Sequence, residues 1–114
     1  MNQRDVYEVY FPFPDGQQTP HPVIVLSIPN VLNCESTFIC VPISSSPNWK
    51  HDQFSFPLSD SDFDIGLKYE SYARLHLITF VPTSELVNGR RLRTMNIDAF
   101  NEMFNQIQEL IFGC

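Results

Sequence analysis

Few residues in this sequence are of the types that move protons, hold metals or grip anions. Three histidines, His21, His51 and His76, and three cysteines, Cys34, Cys40 and Cys114, make up most of that set. An imidazole with an ordinary pKa near 6.5 can both take and give a proton at neutral pH. His21 is singled out by its setting, QTPHPVIVLS, where it stands between two prolines at the head of an apolar strand. That setting reads as one that can neither pair in a sheet nor relax into a helix. The same histidines with Cys34 and Cys40 are potential zinc ligands, but no pair stands at a chelating spacing, so no metal is expected. Asp60, Asp62 and Asp64 alternate like the opening of a calcium loop. That loop needs Gly after its third ligand and Glu at its twelfth position, where Ile65 and Ser71 stand instead, and a solvated turn is the better reading. No GxSxG, no phosphate-binding loop and no Gly-rich dinucleotide turn occurs among the four glycines, which removes the serine-hydrolase and nucleotide-binding classes.

Composition narrows the field further. A chain of 114 residues, 43% hydrophobic and 13% aromatic, reads as one domain (residues 1–114) able to bury roughly 65% of its unfolded surface. It has room for a core but not for a large internal active site. The net charge of -6, seven Lys and Arg against thirteen Asp and Glu, opposes diffuse binding to nucleic acid or acidic membranes. Any such partner must meet a local patch, and the only basic cluster is NGRRLRT, read as a solvated turn. No apolar run of membrane-spanning length and no basic-then-apolar leader occurs, so a cytoplasmic protein with reduced thiols and no membrane contact is expected.

The elements that must position these residues are mostly strands. DVYEVYF alternates and is stopped by PFPDG; PVIVLSI, STFICVPI and FSFPL follow as short strands, and YARLHLITFV makes one longer strand or two joined by a bend. From Met95 the period changes. Ile97, Phe100, Met103, Phe104, Ile107, Leu110 and Ile111 recur every three to four residues, predicting a helix over about 96–112 with Asn96 as N-cap and Gly113 as the stop. Short strands, frequent turns and nine prolines point to a mainly β fold, a small curled antiparallel barrel carrying one helix, rather than a layered βαβ arrangement.

The order RDVYEVYFPFPDG, HPVIVLS, ICVPISSS, FPL, GLKYESYARL and a last helix resembles the MazF/PemK toxin family of type II toxin–antitoxin systems across almost the whole chain. In that family a G-D-V/I-x-x-V-x-F strand enters a Pro-rich loop, and a K-x-R-P step begins a V/L-V-L-S strand. P-I-T-S, then G-L-x-K-x-S-Y-A-R and a final helix follow. The resemblance implies an SH3-like barrel of the CcdB/MazF/PemK type, a homodimer, and an mRNA endoribonuclease that needs no metal or other cofactor and is neutralised by a cognate antitoxin.

This chain departs from the pattern at informative places. His21 occupies the position of the family's catalytic Arg, Gln18 or Thr19 that of its Lys, Ser44 that of the Thr, and Arg4 that of the leading Gly. Cleavage by a neighbouring 2′-hydroxyl needs a proton acceptor, a proton donor and stabilisation of a crowded anion. The resulting expectation is His21 as general acid or base, with Ser44 and Arg74 on the phosphate. The other reading of His21 is a strand-leading residue in a degenerate site. Phe13, Ser45, Trp49, Lys50 and His51 are the candidate RNA contacts, with Trp49 the best base-stacking platform. A second reading comes from FNEMFNQIQELIFGC, which resembles the end of CcdB, a non-enzymatic toxin of the same fold whose last residues dock on DNA gyrase. Phe112, Gly113 and Cys114 would then be the partner contacts. A third is a barrel that has kept the fold and lost the chemistry. The ribonuclease reading is favoured because FPFPDG to VPISS matches MazF/PemK far better than CcdB.

Overall fold

A computed structural model describes all 114 residues, Met1–Cys114. Seven strands and two helices follow in chain order: β1 (Asp5–Pro12), β2 (Gln18–Val25), α1 (Leu32–Glu35), β3 (Thr37–Ser44), β4 (Ser55–Leu58), β5 (Ser71–Arg74), β6 (Thr79–Pro82), β7 (Arg93–Thr94) and α2 (Ile97–Phe112). All strand pairings are antiparallel, in the order β4-β5-β3-β2-β1-β7 with β6 also on β3. This is the mainly β fold with a C-terminal helix that the sequence predicts.

Strand β3 is the hub. Its first half pairs with β6 from Thr37 to Cys40, its middle with β2 up to the Val23–Pro42 pair, and its last two residues, Ile43 and Ser44, with β5. Beyond Val23–Pro42, β2 and β3 therefore part, and a fork opens in the sheet.

Both faces of the sheet are covered, which explains the nearly unbroken apolar runs. On one face Val6, Ile24, Val41, Ala73 and Met95 pack under α2, with its Phe100, Met103 and Ile107. On the other, Tyr7, Val9, Phe11, Val23, Val25, Phe38, Cys40 and Val81 form a second cluster. The helix begins where expected. Asn96 accepts from the Ala99 amide at 2.8 Å, satisfying an orphan donor of the first turn. It ends at Gly113 in the left-handed region, φ 70°, a conformation glycine adopts without a Cβ clash.

Three expectations change. His21 does pair in a sheet, opposite Val9, and β2 begins at Gln18 rather than Pro22. The Arg4 amide donates to the Val25 carbonyl, so odd-numbered residues of β2 turn their backbone to β1 and even-numbered ones turn away. Pro20 and Pro22 thus place their missing N–H groups on the fork side, where no strand needs them. The NGRRLRT stretch is not simply a solvated turn. Arg93 and Thr94 form β7 against Val6 and Asp5, Arg91 is 2.9 Å from Asp64, and Arg93 donates to the Ile65 and Gly66 carbonyls. Third, α1 occupies a segment for which no helix is expected, because one turn leaves no readable period. The alternating aspartates serve the turn itself: Asp62 accepts from the Ser59 amide, Asp60 from Leu67 and Asp64 from Thr94.

Candidate functional site

The fork places chemistry-bearing side chains from adjoining strands on one open cleft of about 410 Å³. His21 comes from β2, Ser44 from the end of β3 and Arg74 from the end of β5; Phe13 and Trp49 lie on the flanking loops, and His76 on the 3-10 turn after β5. The register explains the convergence. Ser44 pairs with Tyr72 and Ile43 with Ala73, so the same register carried one step on sets Arg74 across from Pro42, two residues before Ser44 and also on the cleft.

His21 is half-buried, its ring edge-on to Phe13 at 5.0 Å between centroids. Its Nε2 is buried and has no hydrogen-bond partner. Burial lowers its pKa from the ordinary 6.5, with the Ile43 backbone and the Glu8 carboxylate pulling the other way. The ring is thus held toward its neutral form, the form that accepts a proton. Ser44 accepts from the Ser46 amide at 3.2 Å, which leaves its hydroxyl proton available to an anion in the cleft.

Arg74 is the most enclosed of the set, only 6% exposed. Its guanidinium carbon lies 3.5 Å from the centre of the Trp49 ring, and a terminal nitrogen is 3.8 Å from Asp52. Its Nε is buried without a partner. Trp49 therefore gives one ring face to Arg74 and keeps only part of its surface for a ligand. His76 is exposed and packs on Phe54 at 5.5 Å. Its pKa is lowered first by desolvation and then by Arg74, against Asp52.

Five of the candidate residues, His21, Ser44, Arg74, Phe13 and Trp49, meet in this cleft. The others do not line it. Ser45 lies in a neighbouring cavity, Lys50 is 3.9 Å from Glu70, and His51 is exposed nearby in the chain. Phe112 is 65% exposed beyond the packed part of α2, with Gly113 and Cys114 capping the helix through Glu109 and Gln108. Sequence reasoning missed His76 and Asp52 as members of the site. The two-residue spacing from Arg74 to His76 is the signal that places both near one strand end, whereas the sequence reading weighs His76 only as a potential zinc ligand.

A family profile described as PemK-like, MazF-like toxin of type II toxin-antitoxin system matches residues 2–111. Comparison with curated protein sequences gave no match. Among solved structures, the chain is similar to an endoribonuclease in complex with its cognate antitoxin from a mycobacterial species, at 12% identity and TM-score 0.74, covering 98% of this chain and 95% of that one. The Mycobacterium tuberculosis toxin MazF-mt6 gives 16% identity and TM-score 0.73, covering 96% and 97%. MazF in the MazE–MazF complex of Deinococcus radiodurans gives 16% and 0.71, covering 99% and 96%. The shared fold and the profile match point the same way and do not favour the gyrase-binding alternative. The chain belongs to the PemK-like, MazF-like toxin family of type II toxin–antitoxin systems.

Proposed function

We propose that the chain is an mRNA endoribonuclease, the toxin of its module, and that it cuts at the cleft where His21, Ser44 and Arg74 converge. The observation that carries this reading is the meeting of an imidazole, a hydroxyl and a guanidinium from three strands beside a second imidazole, His76. Family membership and the endoribonuclease among the similar structures support it.

In the proposed reaction the 2′-hydroxyl oxygen attacks the adjacent phosphorus. The O2′–P bond forms, the P–O5′ bond breaks, and a 2′,3′-cyclic phosphate and a 5′-hydroxyl result. A proton leaves the 2′-hydroxyl and another reaches O5′. His21 and His76 supply the two transfers, one imidazole neutral and the other protonated in the active form. Ser44 donates to a non-bridging oxygen, and Arg74 sets a positive wall beside the developing charge. A cognate antitoxin would inhibit by covering this cleft, and a second copy of the chain would complete the assembly, as the resemblance implies.

The test is incubation of purified protein with long mixed-sequence RNA in excess chelator, with fragment ends mapped. Discrete cuts ending in cyclic phosphate and 5′-hydroxyl are expected, undiminished by metal removal. RNA left intact at high protein concentration would overturn the proposal.

A further inference from the structure

His21 also lines a second cavity, of about 230 Å³, on the other side of the fork. The chemistry of this cavity is unlike that of the first. Val6, Ile43, Leu67 and Leu92 give it apolar walls, and Lys68, Tyr69, Arg93 and Ser45 line it beside the buried Ser71. Two of the seven basic residues of an acidic chain are thus gathered at one small opening beside the proposed reaction centre.

Arg93 is held in place by its bonds to the Ile65 and Gly66 carbonyls, so its charge stays at this cavity without a carboxylate partner among its hydrogen bonds. Lys68 lies with its ammonium 5.5 Å from the Tyr69 ring centre. Tyr69 itself is 63% exposed, an aromatic ring left in solvent although an apolar wall lies beside it. Glu8, half-buried, lines the same cavity. Its carboxylate repels a phosphate inside but accepts hydrogen bonds from the amino edge of a base.

A strand cut at one phosphate extends on both sides of it, and Phe13 and Trp49 line the first cleft but not the second cavity. We infer that the second cavity is a nucleotide subsite for single-stranded RNA, with a base against Tyr69 and its backbone phosphate on Lys68 and Arg93. This rests on the endoribonuclease reading for the meaning of the site, but binding can be measured apart from cutting. Stacking on an exposed aromatic ring with cationic support is sequence-tolerant and gives affinity rather than chemistry.

The experiment measures dissociation constants by fluorescence anisotropy for a short single-stranded RNA carrying 2′-O-methyl groups throughout, which cannot be cut by 2′-hydroxyl attack. Wild type is compared with the double variant Lys68→Ala/Tyr69→Ala and with Tyr69→Phe. Both positions are exposed, so thermal melts should be unchanged. The double variant should bind roughly 5- to 150-fold more weakly, the loss expected for one stacked base, whereas Tyr69→Phe should bind as wild type does. Shortening the RNA from one end should weaken wild type by the same factor, after which wild type and the double variant should bind alike. Equal binding of wild type and double variant to the full RNA, or a variant penalty that persists after shortening from either end, would overturn the subsite. If the unmethylated RNA stays uncut while the binding pattern holds, the endoribonuclease reading fails and the subsite stands. Cutting without the binding pattern means the reverse.

Discussion

His21 carries the most weight at the residue scale because of what surrounds it as much as what it is. Its Nε2 is buried with no hydrogen-bond partner, and burial lowers its pKa from the ordinary 6.5, which favours the neutral ring. His76 is shifted in the same direction. In free protein both groups titrate below 6.5, so the pH profile of kcat/KM should place its limbs below that value, with the optimum on the acid side of neutrality. A profile that keeps rising through pH 9 would contradict the pairing. Arg74 offers a second test. Trp49 covers its guanidinium, and such a contact is worth roughly 0.5–2 kcal/mol. Trp49→Ala should lower stability by about that much in urea unfolding. In a double-mutant cycle with Arg74→Met the two losses should be less than additive, whereas simple additivity would mean the stacked pair contributes nothing.

At the element scale the strands and α2 were legible because their signals are local. Alternation in DVYEVYF, a β-branched run in PVIVLSI and the three-to-four spacing after Met95 each lie within a few residues of themselves, and Asn96 and Gly113 mark the helix ends by their own chemistry. Asn96→Ala should cost about 1 kcal/mol, since one amide of the first turn loses its acceptor; an unchanged unfolding midpoint would show that the cap is replaced by water. What was not legible depends on partners distant in sequence. Strand β7 has two residues and exists because Val6 and Asp5 lie beside it. The pairing of His21 depends on which side of β2 lacks a neighbour, which is a property of β3 turning away to β5. The Trp49–Arg74 stack and the second cavity likewise join segments that no periodicity connects. Arg4, at a position where the family carries Gly, has φ 79°. Glycine would adopt this conformation without a Cβ clash, and the Nη1 bond of Arg4 to the Met95 carbonyl at 3.0 Å offsets part of the strain.

For the whole molecule, acid should act through the same two histidines. Their pKa values are lower when folded than when unfolded, so the unfolded chain binds more protons between those values, and stability falls as pH drops below about 6.5. Melting temperature should be level above that point and decline below it, less steeply in a His21→Gln/His76→Gln variant; a rise on acidification through this window would reverse the sign of the account. The thiols report on the core. Cys40 is buried, with its pKa pushed up to about 12, while Cys34 and Cys114 are exposed.

The central claim is that the cleft at the fork cuts RNA through His21. It is tested most directly by single-turnover cleavage of mixed-sequence RNA by wild type beside His21→Ala, with matching circular dichroism spectra establishing that both are folded. The account predicts discrete cuts by wild type and a rate reduced by roughly 100-fold or more in the variant, the usual scale of a lost proton-transfer group. Cutting by His21→Ala at the wild-type rate would contradict it.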